Sequence, residues 1–154
     1  MGNIKKYYDN DILEFEGEYL NGEINGKGKE YNYYGKIKFE GEYLNGKRWN
    51  GNGYNKNGNI EFVIKDGKGS IKEYDYYGKL EFEGEYLNGE INGKGKEYDY
   101  YGNLEFEGEY LNGERKGKGK EYICNGKLMF EGEYLNGERW KAHRTTCAIP
   151  RMRH

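Results

Sequence analysis

The sequence predicts an all-β chain: an elongated, twisted array of antiparallel β-hairpins, about twelve strands in all, with no helix in the array. Three observations lead there. One phrase recurs: "FEGEYLNGEINGKGKE" at residues 82–97 stands again at 15–30 and, with small changes, from 39, 106 and 130. Its neighbourhood "LEFEGEY" alternates with a strict period of two, the period of a strand. Most copies then reach Asn-Gly, two residues suited to the positive φ angles of a tight hairpin turn.

Composition bounds the reading. Hydrophobic and charged residues are each 34% and the mean hydropathy is −1.21. Little apolar surface is on offer against chain entropy, which by itself points toward disorder. Eighteen tyrosines and a single proline argue the other way. Aromatics favour strands, and few prolines leave N–H groups free for ladders.

The six phenylalanines mark the units in order. Phe15, Phe39, Phe62, Phe82, Phe106 and Phe130 follow one another at spacings of 24, 23, 20, 24 and 24. Two residues ahead of each stands Leu13, Ile37, Ile60, Leu80, Leu104 or Leu128. The opening "KKYYDNDILEF" aligns with the second half of a repeat. The Phe62 unit is degenerate; it reads "FVIKDGKGSIKEY" and lacks "LNG". The last unit ends as "FEGEYLNGERW". Residues 1–140 therefore form the array, six units with half repeats at both ends, and 141–154 form a basic tail. That tail is expected to be disordered, or a remnant of added sequence.

Pairing outward from Asn88-Gly89 puts Tyr86 opposite Ile91, Gly84 opposite Gly93, Glu83 opposite Lys94, Phe82 opposite Gly95 and Glu81 opposite Lys96. Across a loop at 99–102, Tyr98 meets Asn103, Lys96 meets Glu105, Gly95 meets Phe106 and Lys94 meets Glu107. Gly95 is then flanked by Phe82 and Phe106, and glutamates face lysines. By parity Glu97 joins the aromatic face and Tyr98 the charged face; a bulge near Glu97 would exchange them. Each hairpin is marginal alone and stabilised by its neighbours. Strands ~4.8 Å apart make a strip of about 58 Å, curled so that the Phe/Tyr face is concave.

The copies closely resemble the MORN repeat: aromatic-x-Gly-x-aromatic-x-x-Gly, then Gly-x-Gly. Here those are Phe106, Gly108, Tyr110 and Gly113, then Gly117 and Gly119. The resemblance covers roughly residues 7 to 140, with units one residue longer than usual and Tyr or Phe where Trp is common. The phrasing is most similar to bacterial MORN-variant, antitoxin-like proteins. The resemblance implies non-catalytic hairpin scaffolds, some linked to lipid binding or to edge-to-edge dimerisation.

The residues themselves point to an interaction protein rather than an enzyme. The single serine, Ser70, has no partner histidine in the array; His143 and His154 both lie in the tail. No nucleophilic set is assembled, and no cofactor is expected. Paired acids such as Glu83 and Glu85 read as a ladder facing lysines, not as glycosidase or calcium groups. "NGEINGKGK" lacks the P-loop spacing.

Residues 1–138 carry twenty bases against twenty-seven acids, a net of −7. That excludes nucleic acid as a partner and leaves membrane association weak, through the tail. Cys124, a small filler on a strand, and Cys147 make no disulfide framework, and no apolar run resembles a signal peptide. A cytoplasmic setting is expected.

The candidate interaction face is Phe15, Tyr19, Phe39, Tyr43, Phe82, Tyr86, Phe106, Tyr110, Phe130 and Tyr134, with Trp49 and Trp140 just past their turns. It serves either as the strip's only core or as an exposed groove for a peptide, another copy or a glycan. The expected function is a scaffold or adaptor binding an unidentified protein through that groove or an open sheet edge, with a homodimer through an edge as one form. Antitoxin-like, glycan-binding and lipid-associated roles are the alternatives.

Overall fold

The computed structural model describes residues 2–123 and 125–145. Among them are thirteen strands and no helix, in two antiparallel sheets of six and seven strands. This is the predicted all-β hairpin array, with one strand more than the approximate count. Cys124, Cys147 and His154 lie outside the described residues.

The chain divides into two compact units. The first takes residues up to Lys79 together with Tyr86–Glu90; the second takes Leu80–Glu85 and residues from Ile91 onward. The first holds β1 (Gly2–Tyr7), β2 (Leu13–Leu20), β3 (Glu23–Tyr31), β4 (Ile37–Leu44), β5 (Lys47–Tyr54), β6 (Ile60–Ile64) and β7 (Gly69–Tyr74). Strands β1 to β6 pair in chain order. The second holds most of β8 (Leu80–Leu87), then β9 (Glu90–Tyr98), β10 (Leu104–Leu111), β11 (Glu114–Tyr122), β12 (Leu128–Leu135) and β13 (Glu138–Thr145). There β9 to β13 also pair in chain order.

The turns follow from local chemistry. The Asn-Gly pairs of all five Leu-Asn-Gly turns have both residues at positive φ, as at Asn112 (51°) and Gly113 (84°). Asp66 (51°) and Gly67 (75°) do the same work between β6 and β7, so the degenerate unit keeps a tight turn although it lost "LNG". The longer loops are Asx turns. Asp99 Oδ1 accepts from the backbone N–H of Tyr101 and of Asn103, both at 2.9 Å, and Asn32 does likewise for Tyr34 and Lys36.

The register departs from simple outward pairing. Phe106 lies opposite Glu97, Glu107 opposite Lys96 and Gly108 opposite Gly95, so Phe106 is not opposite Gly95. Bulges cause the slide. Glu105 is the extra residue where β10 enters its pairing with β9. Past the turn between β10 and β11, Tyr110 pairs with Arg115 but Gly108 already pairs with Gly119. The kink sits at Gly117, whose φ of 75° excludes most other residues. In β9 to β11 the partners slide by two residues, which keeps Phe106, Gly108 and Tyr110 on one face, because the side-chain period is two.

The core is one-sided. Phe39, Phe106, Phe130, Ile64 and Ile71 are fully buried. Each Phe ring leans along its own strand onto bare backbone. A Cβ on Gly95 would lie 2.7 Å from Phe82 Cζ and 2.8 Å from Tyr110 Cε1. Gly95 is thus covered by Phe82 and Tyr110, where simple pairing had placed Phe106. The array also runs past its expected end: Lys141 to Thr145 belong to β13, opposite β12, rather than to a tail.

Candidate functional site

The aromatic face is built as rows across the strands. In the first unit one row reads Lys6, Phe15, Glu30, Phe39, Gly53, Phe62. In the second it reads Glu97, Phe106, Glu121, Phe130, Thr145. An acid therefore lies between phenylalanines, and Glu97 is on the aromatic side. Tyr98 points the other way, its hydroxyl donating to Glu83 at 2.6 Å.

Each such acid is claimed by an arginine from two strands further on. Arg115 Nε and Nη2 donate to the two oxygens of Glu97 at 2.8 and 2.9 Å, and the guanidinium lies 3.9 Å from the centre of the Phe106 ring. The Tyr110 hydroxyl donates to the same carboxylate. Arg139, Glu121, Tyr134 and Phe130 repeat the arrangement, with fork distances of 2.7 and 2.9 Å. In the first unit Arg48 makes the fork to Glu30 at 2.7 and 2.8 Å, stacks over Phe39, and also donates to Glu73. Planar guanidinium suits this combination of fork and ring better than an ammonium would.

Electrostatics follow the geometry. Burial pushes the Glu30 carboxyl up, but Arg48 and the Tyr43 hydroxyl outweigh it and hold the carboxyl below its ordinary range. Glu97 and Glu121 are held low in the same way. Burial, then the adjacent carboxylate, raises the Tyr43, Tyr110 and Tyr134 phenols well above ordinary values.

Sequence reasoning missed these arginines and their acids. The signal was present: ahead of Arg144 arginine occurs only three times, at 48, 115 and 139, always third after the turn asparagine and always 18 residues after a glutamate.

Of the expected interaction residues, Phe15, Phe39, Tyr43, Phe82, Phe106, Tyr110, Phe130 and Tyr134 are buried. They serve as core, with arginines stacked over Phe39, Phe106 and Phe130. Tyr19 is 37% exposed, with Cε1 3.0 Å from a Cβ placed on Gly2, and Tyr86 is half-buried. Trp49 packs on the β6–β7 turn, where a Cβ on Gly67 would meet its ring at 2.7 Å. Trp140 is 49% exposed. Both tryptophans are bulge residues, skipped by the pairing of their strands.

The first unit also holds a cleft of about 440 Å³, lined among others by Tyr8, Lys38, Arg48, Glu73, Tyr76 and Tyr86. Tyr8 and Tyr76 of its lining belong to a chain of ring contacts with Tyr33, Tyr34 and Tyr77, with centroids 5.1 to 6.5 Å apart. The loops are tied by a bond from Tyr33 N–H to the Tyr76 carbonyl at 2.8 Å. Burial, then Glu73, pushes the Tyr86 phenol up to about 12.

At the sheet margins the arrangement differs. Among the described residues no strand pairs with the outer side of β1 or of β13.

A one-sided ladder of β-hairpins, five of them closed by Asn-Gly, with glycines paired across the strands, defines a β-hairpin repeat protein. The MORN repeat model matches residues 15–32, 39–50, 82–100 and 106–127, and those segments are similar to that family's repeats. No curated protein matches it.

Proposed function

We propose that the chain is a non-enzymatic scaffold that binds a partner protein, and that the contact is made at an open sheet edge. The observation that carries this reading is the edge of β13. It is eight residues long, exposed along nearly all its length, and among the described residues pairs on one side only. Such an edge is a template for another strand. The buried state of most of the Phe/Tyr face supports the edge over the groove as the contact. The family supports a binding role in general terms, since MORN repeats are protein- or lipid-interaction modules.

An acidic body disfavours anionic membranes. A reducing, cytoplasmic setting fits a chain with two cysteines and no framework. The antitoxin-like version of this reading has a toxin as the strand donor.

Sedimentation over a range of concentrations, combined with cross-linking of captured proteins, tests the proposal. The expected result is a complex or a dimer whose cross-links fall on Lys141. A monomer at every concentration, with no partner cross-linked near β13, would sink it.

A further inference from the structure

We infer that the outer edge of β13 receives an acidic strand from a different protein, and not a second copy of this chain; the inference rests on the edge reading above and names its occupant. The argument starts from parity. On the charged face the strands alternate in kind. The β2, β4, β10 and β12 strands carry glutamates, while β3, β9 and β11 carry lysines. Inner lysines face an acid on both sides: Lys29 lies opposite Glu16 and Glu40, and Lys120 opposite Glu107 and Glu131.

Strand β1 at the margin of one sheet and β13 at the margin of the other are both of the lysine kind. In β1, Lys5 lies opposite Glu16. In β13, Lys141 lies opposite Glu133 and Arg144 opposite Glu131. Each has an acid on its inner side only. The outer side of β13 thus presents two cations in the register that the array elsewhere fills with carboxylates. A second copy pairing through its own β1 or β13 would set like charges across the new ladder, a destabilising arrangement. Basic edges of this kind repel self-pairing and admit an acidic strand.

The aromatic side narrows the partner further. At the inner glycine position, a Cβ on Gly119 would stand 2.8 Å from Tyr134 Cε1 of the next strand. The equivalent residue in β13 is Ala142, opposite Gly132. A tyrosine placed as the array places its own would strike that methyl group. Thr145, opposite Phe130, also stands where inner strands have the glutamate that binds the tyrosine hydroxyl. The edge therefore suits a strand with acids on one face and a small residue where the array has tyrosine.

Two fluorescein-labelled octapeptides test this on the full chain by anisotropy: Leu-Glu-Phe-Glu-Gly-Glu-Ala-Leu and its counterpart with lysine for each glutamate. The acidic peptide is expected to bind, about tenfold more weakly to K141Q/R144Q and more weakly as salt is raised. The A142G variant is expected to accept the same peptide with tyrosine in place of alanine. No binding of the acidic peptide, equal binding of the lysine peptide, or unchanged affinity in K141Q/R144Q overturns the inference. A wild-type dimer that persists in K141Q/R144Q overturns it too, because a second copy then holds the edge. A partner cross-linked at Lys141 despite failure of the peptides would leave the edge reading standing and remove only the acidic occupant.

Discussion

Arg48 in the first unit and Arg115 in the second occupy the same place in their repeats, third after the turn asparagine, and stack on corresponding phenylalanines, Phe39 and Phe106. Their surroundings differ. Arg115 serves one acid, Glu97, and its side chain is 24% exposed. Arg48 serves two, Glu30 and Glu73, and is 10% exposed. The second acid has a sequence cause. Glu73 sits where Glu30, Glu97 and Glu121 sit in their units, but the residue 18 places on is Ile91 rather than arginine. A carboxylate without its own arginine is taken up by Arg48 across the shortened β6–β7 hairpin. The cluster is therefore not a fixed module. Its partner count depends on which neighbouring repeats have kept their arginine.

The largest expected effect breaks that difference directly. Arg48→Ala leaves two partly buried acids, Glu30 and Glu73, without their cation and should cost about 3–5 kcal/mol. Arg115→Ala strands one acid at a more solvated site and should cost less. Thermal melts of the two variants decide it. Equal losses would mean that Glu73 adds nothing to the Arg48 site.

Acidity sharpens the same contrast. Glu30, Glu97 and Glu121 have carboxyls lowered in the folded state. Such groups contribute stability that is present above their unfolded value, roughly 4.3, and lost as pH falls through the folded value. Without Arg48, burial dominates and should raise Glu30 instead. The deficit of the Arg48→Ala variant should then shrink as pH falls toward that unfolded value.

At the other extreme, burial and then a carboxylate hydrogen bond push Tyr31, Tyr98 and Tyr122 up to about 12. A raised phenol gives stability that is complete below its unfolded value near 10 and lost as pH rises through the folded value. Wild-type stability should thus fall on both sides of a broad plateau. Denaturant midpoints across pH measure it, and a rise between about pH 10 and 12 would contradict the assignment.

A smaller effect compares the inside of the second unit with its margin. Gly95→Val drives a branched side chain into Phe82 and Tyr110, so a loss of roughly 1–3 kcal/mol is expected. Ala142 already carries a methyl group at the equivalent place in β13, where no strand among the described residues brings a tyrosine. Ala142→Gly should cost well under that, near the ~1 kcal/mol glycine penalty or below. Matching losses in calorimetry would show that the tyrosine of the next strand is not what demands glycine.

Much of the fold was legible because its signals are local. Asn88-Gly89 announces its own turn, and "LEFEGEY" announces its own alternation. The shared face of Phe106, Gly108 and Tyr110 also survived, since a slide of two residues keeps parity. The exact partners did not, because bulges at Glu105 and Gly117 leave no mark in a period-of-two pattern. The Asp66-Gly67 turn was legible and was masked by comparison with the intact repeats. The candidate site was read less well. Rings beside glycines suggest a groove, yet Arg48, Arg115 and Arg139 close it, and they come from two strands away. Pairwise register reasoning links adjacent strands only.

The smallest predicted effect bears on register most directly. Lys96 lies opposite Glu107, whereas simple outward pairing would place it opposite Glu105. Glu105 is a bulge residue beside Phe106 and has no cross-strand partner. Lys96 is exposed, so Lys96→Ala alone should cost under roughly 1 kcal/mol, and its absolute size says little. The informative quantity is the coupling. A double-mutant cycle between Lys96 and Glu107 should give a few tenths of a kcal/mol, as for other cross-strand ion pairs. The cycle between Lys96 and Glu105 should give none within error. Coupling to Glu105 in its place would mean that β10 enters its ladder without the bulge. In that case Phe106 would sit opposite Gly95, Glu97 would lose its place between rings, and the Arg115 fork could not form as described.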